Sequence, residues 1–143
     1  MTALAGGPEA AGDAHLAEVV FPGQLNHHGT YFAGAALGLM SRAALVAARR
    51  TARGDVVMAA CERSEFRSPI YAGELVEATA RVERVGRRSM TVAVEMVAEV
   101  LTTGERRRAA FGQFEMVSVD GAPSVPDGGS ADGDEADLFG RVP

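Results

Sequence analysis

The chain has 143 residues, 47% of them hydrophobic and 23% charged, which is typical of one globular domain with a buried core. Its net charge of −5 comes from residues 120–143, which carry six acids and one arginine, so the remainder is neutral. A neutral body argues against nucleic-acid binding, and no segment approaches the ~20 consecutive apolar residues that would cross a membrane.

The first elements are an unstructured N-terminus, a strand and a polar loop. Residues 1–14 are rich in alanine and glycine, and we expect them to be disordered. Residues 15–21 predict a short strand that ends at the Pro22-Gly23 turn. The loop that follows places Asn26, His27 and His28 directly before a long apolar run.

That run predicts a helix over residues 30–50, with Thr30 as its N-cap and Gly54 as its stop. No carboxylate occurs between Glu18 and Asp55, and the segment is apolar on every side, which predicts a fully buried helix. Its N-terminus would then open inside the protein beside Asn26. Unpaired N–H groups and a partial positive charge suit such an end to an oxyanion or a polarised carbonyl.

Four strands are predicted next, over residues 56–66, 74–85, 89–101 and 105–119. The second and third alternate apolar and polar residues, as strands with one buried face do. Residues 121–143 are rich in Gly, Asp, Pro and Ser, and we expect a disordered acidic tail. The domain is therefore assigned to residues 15–120.

One buried helix followed by four meandering antiparallel strands predicts an α+β hotdog fold, in which a curved antiparallel sheet of about five strands wraps a central helix. A small sheet with open edges commonly completes itself by pairing with a second copy. We therefore expect a homo-oligomer, a dimer or larger.

Residues from about 19 to 120 resemble the hotdog-fold acyl-CoA thioesterases. The segments that carry the resemblance keep the family's order and spacing over some hundred residues. They are Val20-Phe21-Pro22, Asn26-His27-His28-Gly29-Thr30, Phe32-Ala33-Gly34, Leu39-Met40, Glu62-Arg63, Glu65-Phe66, Ser68-Pro69-Ile70, Gly73-Glu74-Leu75-Val76, Val85-Gly86-Arg87, Ser89-Met90 and Thr103-Gly104-Glu105-Arg106.

The resemblance implies hydrolysis of an acyl thioester in a site shared by two subunits. It implies that Asn26 orients water or the thioester, and that backbone N–H groups at Ala33-Gly34 polarise the carbonyl. Gly86, Arg87 and Ser89 would lie near the coenzyme's pantetheine and nucleotide. The family's helix aspartate, a general base or nucleophile, is Ser41 in this chain, and the next acidic position is Arg42. Two strand aspartates of the family are Glu62 and Glu65 here.

The candidate site residues fall into two groups, each with a structural alternative. Asn26 could instead brace its loop, one histidine could be structural, the Ser41 hydroxyl could bond back to a helix carbonyl, and Arg87-Arg88 could be a solvated turn. The catalytic candidates are Asn26, His28, Gly34, Ser41 and Glu65. The substrate-binding candidates are Thr30, Phe32, Ala33, Gly86, Arg87, Arg88 and Ser89.

We expect no metal, because no third ligand accompanies the two histidines, and no cofactor beyond coenzyme A as part of the substrate. The single cysteine, Cys61, excludes an internal disulfide, and the absence of a secretory signal favours the cytoplasm. The carrier could be coenzyme A or a protein. A non-catalytic acyl-thioester binder is the main competing hypothesis, and a hydratase the least favoured one because the helix lacks a carboxylate.

Overall fold

The computed structural model describes residues 12–119, and it confirms one long helix packed on a five-stranded antiparallel sheet. Most of segments 1–14 and 121–143, predicted to be disordered, lies outside the described residues. The elements, in chain order, are β1 (Ala14–Val19), a 3₁₀ turn (Pro22–Gln24), α1 (Ala33–Ala52), β2 (Val56–Phe66), β3 (Leu75–Val85), β4 (Ser89–Val100) and β5 (Glu105–Ser118). Helix α1 is not long and apolar enough to cross a membrane.

The sheet has the strand order β1-β3-β4-β5-β2, and every neighbouring pair is antiparallel. The predicted meander is confirmed for β3, β4 and β5, but it is wrong for β2. Both edges of β3 are already taken, one by β1 and the other by β4, so β2 pairs with the free edge of β5 instead. β1 and β2 are therefore the two edge strands of the sheet.

The core lies between one face of α1 and the concave face of the sheet. Small helix residues such as Ala43, Ala44 and Ala47 are fully buried and let the helix approach the strands closely. Gly112 of β5 lies under the helix, because a Cβ atom there would lie 2.8 Å from the Phe114 ring and 3.7 Å from the Met40 methyl group.

The prediction that α1 is buried on every side is wrong for the single chain. The sheet covers only one face, and Gly34, Arg42 and Arg49 on the other face are exposed. This face combines small residues with arginines, and nothing within the described residues covers it.

The helix ends also differ from the prediction. α1 begins after Phe32, which serves as N-cap without a side-chain hydrogen bond, whereas Thr30 lies in the preceding turn. Arg53 adopts the left-handed conformation with φ of 56°, so the helix ends at Ala52, two residues before Gly54.

The edge strand β2 presents uncovered apolar side chains toward the helix side. Met58 and Phe66 are 39% and 47% exposed, although they pair in register with Met116 and Ala110, which are buried. Directly opposed residues of an antiparallel pair share one face of the sheet. A helix-side apolar surface therefore continues from α1 to the open edge at β2.

Candidate active site

The loop that carries Asn26 is a short antiparallel turn joined to the start of the helix. The N–H of Asn26 donates to the Thr30 carbonyl at 2.7 Å, and the N–H of Phe32 donates to the Gln24 carbonyl at 2.8 Å. Between these two bonds, Leu25 and Tyr31 form a β-bridge. Asn26 and Thr30 therefore form the second residue pair after the pair that contains Phe32, the N-cap of α1.

The Asn26 side chain stabilises this loop through three hydrogen bonds and keeps one N–H donor unused. Its Oδ1 accepts the backbone N–H groups of His28 at 2.8 Å and Thr30 at 3.0 Å, which uses both acceptor positions of that oxygen. Its Nδ2 donates one hydrogen to Thr30 Oγ1 at 2.9 Å. Because two backbone donors face Oδ1, the amide orientation is fixed, and the second N–H of Nδ2 is the group left for a ligand.

Glu18 holds both ends of this loop, and sequence reasoning did not single it out. Its Oε2 accepts the Tyr31 hydroxyl at 3.0 Å and Gln24 Nε2 at 3.3 Å, and Arg42 of the helix lies 3.9 Å from its Oε1. Burial, and then the hydrogen bond to Glu18, raise the pKa of Tyr31 well above its usual value, so this phenol stays a donor. Glu18 pairs with the buried Val76 and so faces the helix. Alternation along β1 was the sequence signal that could have indicated this inward orientation.

The first turn of α1 offers two backbone donors. The N–H groups of Ala35 and Ala36 both bond to the Phe32 carbonyl, whereas those of Ala33 and Gly34 have no acceptor within residues 12–119. Such groups carry the partial positive charge of the helix N-terminus. Gly34 also lets the Phe32 ring lie over this turn, since a Cβ atom at Gly34 would be 2.5 Å from the ring. In the single chain this end is exposed, contrary to the buried opening that the sequence predicted.

Ser41 lies on the side of the helix that faces β2. Nine residues separate it from Arg50, which is two and a half helical turns, so the two side chains project in opposite directions. Arg50 bonds to the Asp13 carbonyl beside β1, which places Ser41 on the β2 side with Gly34 and Gly38. The Ser41 hydroxyl donates to the Gly38 carbonyl at 2.9 Å, the helix-internal bond that was the structural alternative for this residue.

The catalytic candidates His28 and Glu65 do not lie together at the helix N-terminus. The rings of His27 and His28 are exposed and lie against each other, with their centroids 4.1 Å apart. Glu65 pairs with Phe111, whose neighbours in β5 face the helix, and therefore lies on the outer face of the sheet.

There the Glu65 carboxylate accepts bonds from Arg63 at 2.7 Å and Arg67 at 2.9 Å, which lower its pKa. It cannot replace a helix aspartate within its own subunit, because the sheet stands between them. Glu62 lies at an irregularity of β2 and is exposed.

The β3–β4 hairpin with Gly86, Arg87, Arg88 and Ser89 lies at the opposite end of the fold. Gly86 N–H donates to the Ser89 carbonyl at 2.6 Å, and the Arg88 carbonyl accepts the N–H of Ser118, at the end of β5.

Ser118 pairs with Val56, which follows the C-terminus of α1. The 20 residues of α1 span roughly 30 Å. One chain therefore does not bring this hairpin to the helix N-terminus.

Arg107 holds the segment that supports the Asn26 loop. Its guanidinium donates to the Ser68 hydroxyl at 2.8 Å and to the Pro69 carbonyl at 2.6 Å. The next carbonyl, that of Ile70, accepts the N–H of Tyr31 at 2.8 Å. The run Arg106-Arg107-Arg108 is typical of an exposed edge strand, but β5 is internal and Arg107 is largely covered.

Glu74 neutralises Arg107 at this point. Its carboxylate accepts two bonds from Arg107, the shorter at 2.7 Å, and one from the N–H of Tyr71 at 3.0 Å. Burial raises the pKa of Glu74, but these bonds outweigh it, so the pKa lies below its usual value of 4.5.

Replacing Glu74 with glutamine is expected to lower the free energy of unfolding by about 1.5–3 kcal/mol at pH 7, because Arg107 loses a charged partner. The pKa is lower in the folded state, so this stability is present above pH 4.5 and is lost as the pH falls below it. Urea unfolding at pH 7 and pH 3.5 measures both effects, and the difference between variant and wild type should shrink at the lower pH. The control is Glu99→Gln, which removes the more exposed pair with Arg106 and should cost about 0–1 kcal/mol.

Within residues 12–119, no group of three or more His, Cys, Asp or Glu side chains lies close enough together to hold a metal ion.

Residues 28–105 match the thioesterase superfamily. Among curated proteins, an uncharacterized acyl-CoA thioester hydrolase of Zymomonas mobilis is 32% identical over 110 residues, which cover 77% of this chain and 74% of the relative.

Solved structures of the same kind superpose on the described fold. An acyl-CoA hydrolase from Agrobacterium tumefaciens is 46% identical with a TM-score of 0.74 over 79% of this chain, which spans only 45% of that longer chain. A Staphylococcus aureus acyl-CoA hydrolase, solved with butyryl coenzyme A, is 27% identical with a TM-score of 0.73, covering 77% of this chain and 67% of its own. A hexameric thioesterase from Yersinia pestis is 29% identical with a TM-score of 0.71, and the match covers 75% of this chain and 87% of the Yersinia chain.

Proposed function

Because this chain belongs to the thioesterase superfamily, we propose that it hydrolyses the thioester of an acyl-CoA, or of an acyl carrier, to a free acid and a thiol. The observation that carries the proposal is the helix N-terminus at Ala33-Gly34, whose two N–H groups have no acceptor within the described residues and which adjoins the Asn26 loop. Coenzyme A enters as part of the substrate, and the reaction needs no further cofactor.

In the proposed reaction, a water oxygen adds to the thioester carbonyl carbon and the carbonyl oxygen becomes an oxyanion. The N–H of Gly34 donates to that oxyanion, where preorganised donors are most effective. The C–S bond then breaks, the carbonyl re-forms as a carboxylic acid, and the proton lost by water reaches the departing thiolate. A thioester is already an activated acyl group, so stabilisation of the oxyanion supplies a large part of the acceleration.

Asn26 contributes as a donor in this proposal. Its Oδ1 is already bonded to the N–H groups of His28 and Thr30, so it has no free position to accept a proton from water. Its second Nδ2 hydrogen is available and suits the carbonyl oxygen of the thioester. Asn26 would therefore act with Gly34 on the same oxygen.

We propose that the complete site is built from two subunits. In one chain the Asn26–Gly34 end and the hairpin arginines, Arg87 and Arg88, lie at opposite ends of a helix of roughly 30 Å. The uncovered surface beside Ser41, which extends to Met58 and Phe66 of β2, is apolar enough to need cover. Pairing with a second copy along β2 would cover it, and the hexameric relative from Yersinia pestis supports a homo-oligomer.

Release of free thiol from acyl-CoA substrates tests the proposal. We expect turnover above the rate without enzyme for at least one member of a series of short, long and aromatic acyl-CoAs, with the thiol monitored spectrophotometrically. Gly34→Pro should lower kcat by about 10²–10³ relative to Gly34→Ala, because both variants displace the Phe32 ring and only the proline removes the N–H of the first helical turn. The absence of turnover on every substrate would contradict the proposed hydrolysis.

One observation favours a second candidate function, a non-catalytic acyl-thioester binder. The Ser41 hydroxyl is bonded to the Gly38 carbonyl, and the helix has no carboxylate at the position where the resembling family carries its aspartate. Saturable binding of coenzyme A in a calorimeter, together with no hydrolysis of any acyl-CoA, would support this alternative. The absence of nucleic-acid binding and a cytoplasmic location stay predictions from the sequence.

A further inference from the structure

The C-terminal end of α1 carries a basic cavity that the proposed hydrolysis does not use. The cavity has a volume of about 370 Å³ and is lined by Val46, Arg49, Arg50, Arg53 and Gly54. Three arginine side chains therefore line one concave surface.

These arginines are only partly neutralised. Arg49 lies 3.5 Å from Asp55, and both side chains are more than half exposed, so the pair is weak. Arg50 donates to the backbone carbonyl of Asp13, which carries no net charge. Arg53 has no carboxylate within ion-pair distance among residues 12–119. Cations commonly stabilise a helix C-terminus, and this explains one or two of the charges but not a cavity lined by three.

The chain's acidic segment begins beside this cavity. The last described residue, Val119, donates its N–H to the Asp55 carbonyl at 3.0 Å, and Asp55 directly follows Gly54 of the cavity wall. Residues 120–143 then carry six acids and one arginine, whereas the rest of the chain is neutral. The eight Cα–Cα steps from Val119 to Asp127 reach at most roughly 26–29 Å, and the four acids of residues 132–137 can reach farther, so all six acids are within range of the cavity.

We propose that the acidic segment 120–143 binds the arginine-lined cavity at the C-terminal end of α1 in its own chain. The carboxylates pair with Arg49 and Arg53, which have the most freedom to turn toward them, and Arg50 adds long-range attraction. A short tether holds a ligand at an effective concentration of roughly millimolar, so a contact too weak to detect between separate molecules is well populated here. The contact is electrostatic and therefore weakens as salt is added.

Arginine reactivity in the full chain tests the proposal. We would measure the rate of phenylglyoxal modification at each arginine by peptide mass spectrometry, in wild type and in a variant carrying Asp132→Asn, Asp134→Asn, Glu135→Gln and Asp137→Asn. Arg49 and Arg53 should react at least three-fold faster in the variant, and the difference should vanish in 0.5 M salt. Arg63 and Arg67, which are bonded to Glu65, are internal controls and should not change.

The reciprocal experiment uses the other partner. Arg49→Gln with Arg53→Asn removes two charges, and asparagine tolerates the left-handed backbone at position 53. Chymotrypsin should then cleave at Phe139 at least three-fold faster than in wild type, while Arg63→Gln with Arg67→Gln leaves the rate unchanged.

Equal arginine reactivity in wild type and the tail variant would overturn the proposal. So would protection that persists in the tail variant and is increased only by added inorganic phosphate, because the cavity would then serve a separate anion. Protection that rises with protein concentration would assign the cavity to a neighbouring copy, and it would also overturn binding within the chain.

Discussion

Replacing Ser41 with aspartate is expected to raise kcat for acyl-CoA hydrolysis by about 10²–10⁴, which is the usual contribution of a general base. The resemblance predicts that Ser41 stands where the related thioesterases carry an aspartate, and α1 itself contains no carboxylate. A carboxylate at this position would accept the proton from the attacking water.

The substitution should leave the fold intact. Ser41 is only half-buried, and its hydroxyl makes one bond, to the Gly38 carbonyl, so the Tm should change by a few degrees at most. Ser41→Asn is the matched control, because it has nearly the volume of aspartate but no charge, and it should not raise kcat.

If wild type hydrolyses nothing and Ser41→Asp is active, the chain is the non-catalytic binder and Ser41 marks its lost base. Equal rates for Ser41→Asp, Ser41→Asn and wild type would show instead that this position does not face the thioester.

Most of the fold could be predicted because its signals are local. Alternation along β3 and β4 placed Val76, Ala78, Val92 and Val94 on the buried face, and all four are buried. The order of the strands could not be predicted in the same way. The partner of β2 depends on which sheet edge remains free after β1 has paired with β3, and no residue of β2 itself carries that information.

The burial of the helix shows a different limit. An apolar segment indicates that its surfaces are covered in the working protein, but it does not say by what. In the single chain Gly34 is exposed, and Gly38 and Ser41 are only half-buried. The sequence therefore reports the requirements of an assembly, whereas the structure describes one subunit.

The candidate site could be predicted as a list of residues but not as a set of contacts. Asn26 and Gly34 lie at one end of the helix, Arg87 and Arg88 at the other, and Glu65 on the far face of the sheet. Spacing along the chain does not determine these positions. Glu18 was missed for a related reason, since its partners come from a turn and a helix that no local pattern connects to β1.

Replacing Asn26 with aspartate is expected to lower kcat by about 10²–10³ while the Tm stays within a few degrees of wild type. Aspartate keeps the acceptor for the N–H groups of His28 and Thr30, and the Thr30 hydroxyl can rotate to donate to its second oxygen. The loop brace is therefore kept. The free Nδ2 hydrogen is removed and a carboxylate charge is added beside the developing oxyanion, so kcat should fall by at least as much as for the loss of one oxyanion donor.

Asn26→Ala separates this effect from the stability of the loop. Alanine removes the brace as well as the donor, leaving the backbone N–H groups of His28 and Thr30 unpaired, and should lower the free energy of unfolding by about 1–3 kcal/mol. Thermal unfolding and kcat measured on both variants would thus distinguish the role of Asn26 in stabilising the loop from its role as a donor to the substrate. Should Asn26→Asp retain full activity, then Asn26 only shapes the turn, and the thioester carbonyl depends on the backbone donors of α1 alone.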